Sequence, residues 1–207
     1  MIKQMIRKSN LLILSIGFII LGSCAEESKY QGPPEFEKEI VVYDGTVHLG
    51  NDSIPHDWII LVDGRDNIAE QMDSLCENGA LPVLQVESET HIFQIISANP
   101  CHRDVYDFPR FNFLLITGKG IRKAGHVYPL DSMEYVLSKD YSNHGKLKDW
   151  SSSPDELVTN FEIGSFDGTT LRTTLLKYIE IREELNISNE SPIVFWNQFP
   201  VPPPPPM

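Results

Sequence analysis

The stretch WIILVDGRDNIAEQMDSLCENGALPVLQV, residues 58–86, decides the fold. Residues 58–62 form a continuous apolar run and predict a strand buried on both faces. Asp63-Gly64-Arg65-Asp66-Asn67 breaks the run, and Asn67 or Asp66 is placed to cap a helix. In that helix Ile68, Met72, Leu75 and Cys76 fall on one face. Gly79 stands where a left-handed C-cap belongs, and residues 81–86 return as a strand. The strand's start is placed after Pro82, or at a sheet edge, because proline has no N–H to give to a ladder. Strand, helix and strand in this length predict a right-handed βαβ unit.

Working outward, residues 40–43 read as a first strand, followed by an Asp44-Gly45 turn and an extended piece at 46–49. Residues 91–96 and 111–117 are further strands, separated by an irregular loop at 99–110 that holds two prolines. Gly118-Lys119-Gly120 is a turn, and a short helix is expected over 130–137 behind Pro129. Ser153-Pro154-Asp155-Glu156 offers an N-cap followed by proline at the first helical position. Residues 161–166 read as extended. The longest helix is expected over 169–185, with Leu171, Leu175, Ile179 and the stem of Arg182 on one side. Residues 193–196 make a last strand, and Pro200 with Pro202 to Pro206 dictates an extended polyproline tail. The fold class is therefore α/β or α+β: one domain over residues 39–199 with a mixed sheet, a βαβ unit and at least two packed helices. Asp63-Gly64 and Asp167-Gly168 stand in the same order of extended run, turn, helix and strand. Asp-Gly is a common turn, so two ordinary turns are the simpler reading than an internal repeat.

Of 207 residues, 29 are acidic and 17 basic, a net charge of −12. Residues 1–23 hold three of the basic side chains (Lys3, Arg7 and Lys8) and no acid, so the remainder carries 14 basic and 29 acidic side chains, net −15. That charge argues against nucleic acid as a partner and against adsorption to anionic headgroups. A 41% hydrophobic content supports a real core and argues against disorder throughout.

The N-terminus carries the clearest functional signal. After the basic start, residues 11–21 are apolar, and eleven residues at about 1.5 Å each give roughly 16 Å of helix, about half of a bilayer's hydrocarbon. That is the core of a signal peptide rather than a membrane span. Leu21-Gly22-Ser23-Cys24 follows and resembles the lipobox of bacterial lipoproteins. The resemblance implies cleavage before Cys24 and a lipid anchor (diacylglycerol, with acyl chains such as palmitate) on its sulfur. Residues 1–23 would be the signal peptide and 24–38 a tether. Ala25-Glu26-Glu27-Ser28 resembles the acidic export signal of Bacteroidetes lipoproteins, which implies outer-membrane attachment and surface exposure; a solvated tether is the plainer reading. Asp52-Ser53-Ile54, Asp73-Ser74-Leu75 and Asp131-Ser132-Met133 resemble the Bacteroidetes O-glycosylation acceptor, Ser53 in a loop being favoured over Ser74 in a helix.

Chemistry is harder to find. There is no Gly-x-Ser-x-Gly, no Cys-x-x-Cys and no phosphate loop. The six histidines never pair at metal-ligand spacing, so neither metal nor cofactor is implied. Cys101-His102-Arg103-Asp104 with Asp107 gathers reactive groups in one loop, where neighbours rarely form a nucleophile–base pair. Asp63, Arg65 and Asp66 lie at the carboxyl end of a strand, where open α/β sheets bind ligands, and are the ligand-binding candidates; a helix-capping turn with a surface arginine is the plainer reading. An integrin-type metal site would need hydroxyls where Arg65 and Asn67 stand. With Cys24 consumed by lipid, Cys76 and Cys101 remain as a candidate disulfide; the alternative is a buried free thiol at Cys76.

Val62-Asp63 with Met72-Asp73-Ser74-Leu75, Gly79 and an apolar strand also resembles part of the periplasmic domain of the ExbD/TolR family. That resemblance implies a transport component. The apolar segment 11–21, however, lacks that family's membrane aspartate. The preferred reading is a lipid-anchored outer-membrane or envelope lipoprotein acting as a binding or accessory module rather than an enzyme. Its partners would be the membrane through its lipid, and another envelope protein or a glycan. An enzyme with a spatially assembled site is the alternative. Trp58 and Trp196 read as core, leaving Trp150 as the ring with an exposed context for a sugar.

Overall fold

The computed structural model describes residues 38–44, 54–98, 101, 112–188 and 191–197. The segments expected as signal peptide, tether (but for Lys38), second extended piece and proline tail lie outside them, as do most of the 99–110 loop and Ser53. Two mixed sheets and three α-helices share one core, in keeping with the α/β class expected; the mixed sheet of the sequence reading is two sheets. The first sheet has β1 (Glu39–Asp44), β2 (Ile59–Leu61), β3 (Val83–Glu87) and β4 (His91–Ile96), in the order β1-β4-β3-β2. The second has β5 (Phe113–Thr117), β6 (Gly120–Lys123), β7 (His126–Tyr128), β8 (Val158–Glu162) and β9 (Ile193–Trp196), in the order β7-β6-β5-β8-β9. The sheets meet where Ala98 N–H donates to Ile193 O (2.9 Å) and Phe195 N–H donates to Ser97 Oγ (3.0 Å).

The βαβ unit is present: β2 and β3 are parallel neighbours joined by helix α1 (Ile68–Glu77). Gly79 follows that helix at φ +75°, and β3 starts after Pro82. A second unit of the same order joins parallel neighbours β8 and β9 through α3 (Gly168–Glu184). Helix α2 (Met133–Tyr141) lies between the units in sequence, one turn longer than expected and preceded by a 3-10 turn, Leu130–Ser132. The core draws Leu84, Val86, Phe93 and Ile95 from one sheet and Leu114, Ile116 and Phe161 from the other. Leu171, Leu175, Tyr178 and Ile179 of α3 pack among them.

Three element readings need correction, and one hairpin adds to them. The run at 58–62 is not buried on both faces. Only Ile59–Leu61 form the strand, which is a sheet edge; Ile60 is buried while Leu61 is 51% exposed on an uncovered face. Residues 161–166 are not continuously extended, because β8 ends at Glu162 and a 3-10 turn, Ile163–Ser165, follows. Pro154 opens one 3-10 turn rather than a helix, and the chain enters β8 directly. The hairpin of β6 and β7 was not foreseen, because its turn uses Ala124 and Gly125, both at positive φ (53° and 75°), where asparagine would normally announce it.

The tryptophans exchange roles. Trp150 is 5% exposed, with Lys139 Nζ 4.3 Å above its ring, so it offers no face to a sugar. Trp58 sits in a 3-10 turn and, like Trp196, is only half-buried.

Candidate functional site

The two Asp-Gly turns that the sequence treats as separate are packed together. A Cβ on Gly168 would overlap the Arg65 carbonyl and the Gly64 backbone, so only glycine lets the second turn lie this close to the first. Gly164 is likewise pressed on Asn197, and its N–H donates to Asn197 O (2.9 Å). These approaches bring the carboxyl ends of β2, β8 and β9 to one place.

Each turn organises its own charge. Asp63 Oδ1 accepts the Arg65 N–H (3.3 Å), and its Oδ2 lies 3.0 Å from Arg65 Nε. Asp66 Oδ1 accepts the N–H of Gly168 (2.7 Å), 102 residues away, at the first turn of α3. Asp167, the N-cap of α3, accepts the Thr170 N–H (2.8 Å) and hydroxyl (2.6 Å). Those Thr170 bonds hold the Asp167 carboxyl below its ordinary value. The N-terminus of α3 is thus served by carboxylates of the chain itself. The N-cap of α1, Asn67, makes no such bond; its Oδ1 accepts instead from Gln71 Nε2 (2.7 Å).

Between the turns lies a cleft of about 250 Å3. Arg65, Asp66, Glu70 and Asn197 supply its polar groups, and Phe166 and Leu171 part of its apolar floor. Asn197 Nδ2 donates to Asp73 Oδ2 (2.7 Å), tying the end of β9 to α1. Of the candidates read from sequence, Arg65 and Asp66 line the cleft, and Asp63 stands behind Arg65 as its ion-pair partner. With Asp66 and Glu70 beside one arginine that is already drawn to Asp63, the cleft favours a cationic or hydrogen-bond-donating group.

Cys76, near the end of α1, is disulfide-bonded to Cys101, with their Cα atoms 5.1 Å apart. His102 to Asp107 of the reactive-looking loop lie outside the described residues. Among the described residues no group of three or more His, Cys, Asp or Glu side chains is placed to hold a metal ion. Ser74 is exposed on α1 rather than packed, so the helix does not hide that acceptor.

Two charged constellations escaped the sequence reading. Lys123 Nζ and Asp140 Oδ2 meet at 2.5 Å with both side chains wholly buried, and Asp140 Oδ1 accepts the Ser151 N–H (2.7 Å). Burial pushes the Lys123 ammonium below its ordinary value, and the charge of Asp140 opposes that shift. Sealed from solvent, the pair clamps β6 and α2 to the loop at 143–151 and offers nothing to a substrate. Arg182 is also buried whole: Nη1 donates to Tyr178 Oη (3.0 Å) and Ser191 O (3.3 Å), Nη2 donates to Ser188 O, and the guanidinium lies 5.2 Å from the Tyr43 ring. The place of Arg182 on the apolar side of its helix was the one signal for its burial, and Lys123, within Ile121-Arg122-Lys123-Ala124, gave none.

No protein-family model matches the chain, and no curated protein or solved structure is significantly similar to it.

Proposed function

We propose that the chain is an envelope lipoprotein, anchored through Cys24 at the outer membrane, whose folded domain is a binding module. The cleft between the two Asp-Gly turns is its ligand site. The anchor reading is supported by the basic start, the apolar segment 11–21 and Leu21-Gly22-Ser23-Cys24. The disulfide between Cys76 and Cys101 is the kind of bond an oxidising compartment allows. The binding reading is carried by one observation: two strand–helix crossovers from distant parts of the sequence deliver their strand ends to a single cleft.

The cleft's size narrows the ligand. About 250 Å3 is below the roughly 300–1,000 Å3 of sites that engulf a drug-sized molecule. It suits one protruding side chain of another envelope protein, and its carboxylates favour a basic one. This is an accessory role, in which the anchor sets the location and the cleft selects the partner.

Two experiments test the two halves. Fractionation of cells expressing Cys24→Ala should show the precursor uncleaved or misplaced; a variant that still sediments with the outer membrane would contradict the anchor. Capture from solubilised envelopes should recover a partner with the full-length chain and lose it with Arg65→Glu plus Glu70→Lys, both exposed positions. Unchanged capture would remove the cleft from the account and leave the anchor standing.

A further inference from the structure

β1 is an edge strand six residues long, and among the described residues no strand pairs with its outer side. The parallel register, Glu39 to His91, together with the Glu39 N–H bond to Thr90 O (3.3 Å), fixes its polarity. Glu39, Val41 and Tyr43 turn their N–H and C=O groups toward β4, so Ile40, Val42 and Asp44 turn theirs toward the open edge. The side chains of Ile40 and Val42 are also 59% and 40% exposed, beside Ile92 and Gln94 on the uncovered face of the sheet. A six-residue edge with exposed β-branched residues and no charge between positions 40 and 43 is a template for another strand.

We propose that the occupant is β1 of a second copy of this chain, paired antiparallel about a twofold axis through Val41. That register is self-complementary. Ile40 faces Val42 of the other copy and Val42 faces its Ile40, both as hydrogen-bonded pairs built from the outward-turned groups. Lys38 Nζ reaches inward to Glu87 of β3 (3.1 Å), so its charge does not stand in the seam. A slip of one residue would set Ile40 against Tyr43 and place side chains from opposite faces together. The closed twofold also uses up the edge, so pairing stops at two copies. Two four-stranded sheets thus become one of eight strands.

The chain outside the described residues fits this arrangement for a protein anchored as proposed above. The two Lys38 residues would lie six residues apart along the paired strands, roughly 20 Å. A tether of residues 26–38 reaches up to about 40 Å, so both anchors can enter one membrane. The pairing itself does not depend on the anchor or on the cleft. The competing occupant is the segment 46–49 of the same chain, and it predicts a monomer.

The test uses the full-length protein in detergent, with its mass measured by light scattering. The wild type should be a dimer. Val42→Pro removes only an outward N–H, so it should shift the chain to monomer, with at least tenfold weaker association and an unchanged near-ultraviolet circular dichroism. Val41→Cys, at the axis, should oxidise to a covalent dimer, while Val127→Cys on the open edge strand β7 should not. A monomeric wild type, a dimer indifferent to Val42→Pro, or cross-linking at 127 and not at 41 would each overturn the proposal. Should Val42→Pro fail to fold, the wild-type mass and the Val41→Cys cross-link still decide it.

Discussion

The crossovers β2–α1–β3 and β8–α3–β9 follow one order and are held by different means. Helix α1 has ten residues and buries Ile68 and Met72. Helix α3 has seventeen and buries Leu171, Leu175, Tyr178, Ile179 and Arg182, among others. At its N-terminus α3 has two carboxylates, one of its own and one lent by the first crossover. Helix α1 lacks a side-chain cap and is instead fastened near its far end by the disulfide. The short crossover thus carries the polar face of the cleft and relies on a covalent link. The long one forms the core that the cleft rests on. A site can be exposed and polar on one side because its other side is so heavily packed.

The largest effect should come from the packed crossover. Arg182→Ala would strip three hydrogen bonds and leave the carbonyls of Ser188 and Ser191 short of a donor, at a cost of about 3–5 kcal/mol in urea unfolding. An effect below about 1 kcal/mol would mean that the buried guanidinium is not part of what holds α3. Next comes Gly168→Ala, whose Cβ must displace the Arg65 backbone; about 3 kcal/mol is expected. The matching change in the first crossover, Gly64→Ala, meets only Thr169 Oγ1 at 3.5 Å and the strain of φ +102°, so about 1 kcal/mol should suffice. Equal losses at the two glycines would break the asymmetry.

Reducing the disulfide, or Cys76→Ser with Cys101→Ser, should cost about 3 kcal/mol in the chain-entropy account, for a sequence separation of 25. Hydrogen exchange should rise in α1 far more than in α3. The smallest effect belongs to Asp167→Ala, a slight fall in melting temperature with a definite pH dependence. The folded carboxyl titrates below the unfolded one, so its contribution is complete above the ordinary carboxylate value and is lost as pH falls through the depressed one. The gap between wild type and variant should close on acidification. A gap that widens there would contradict the Thr170 bonds as its cause.

Periodicity and turn chemistry were enough to read the first crossover, and the helix and last strand of the second, whose first strand starts three residues before the extended piece expected. Ile68, Met72, Leu171, Leu175 and Ile179 mark helix faces by spacing, and Gly79 and Pro82 punctuate as expected. What could not be read is what tertiary context decides. Residues 58–62 are apolar enough for a central strand, yet Ile59–Leu61 stand last in the strand order and leave Leu61 exposed. Trp150 sits in a polar stretch and is buried under Lys139. Asp66 was placed at the start of α1 by sequence proximity, but its carboxylate serves α3, which no local pattern could tell. The cleft was half legible: its position at a strand's carboxyl end follows from topology, whereas its second wall required the close packing allowed by Gly168.

The claim that the meeting of the two crossovers is the binding face can be tested in intact cells. A photo-reactive amino acid at position 70, lining the cleft, is compared with one at position 180, about 14 Å along α3 from the position of Leu171. The account predicts an adduct with a protein other than this chain from position 70 and none from position 180. An adduct from position 180 with none from position 70 would contradict it.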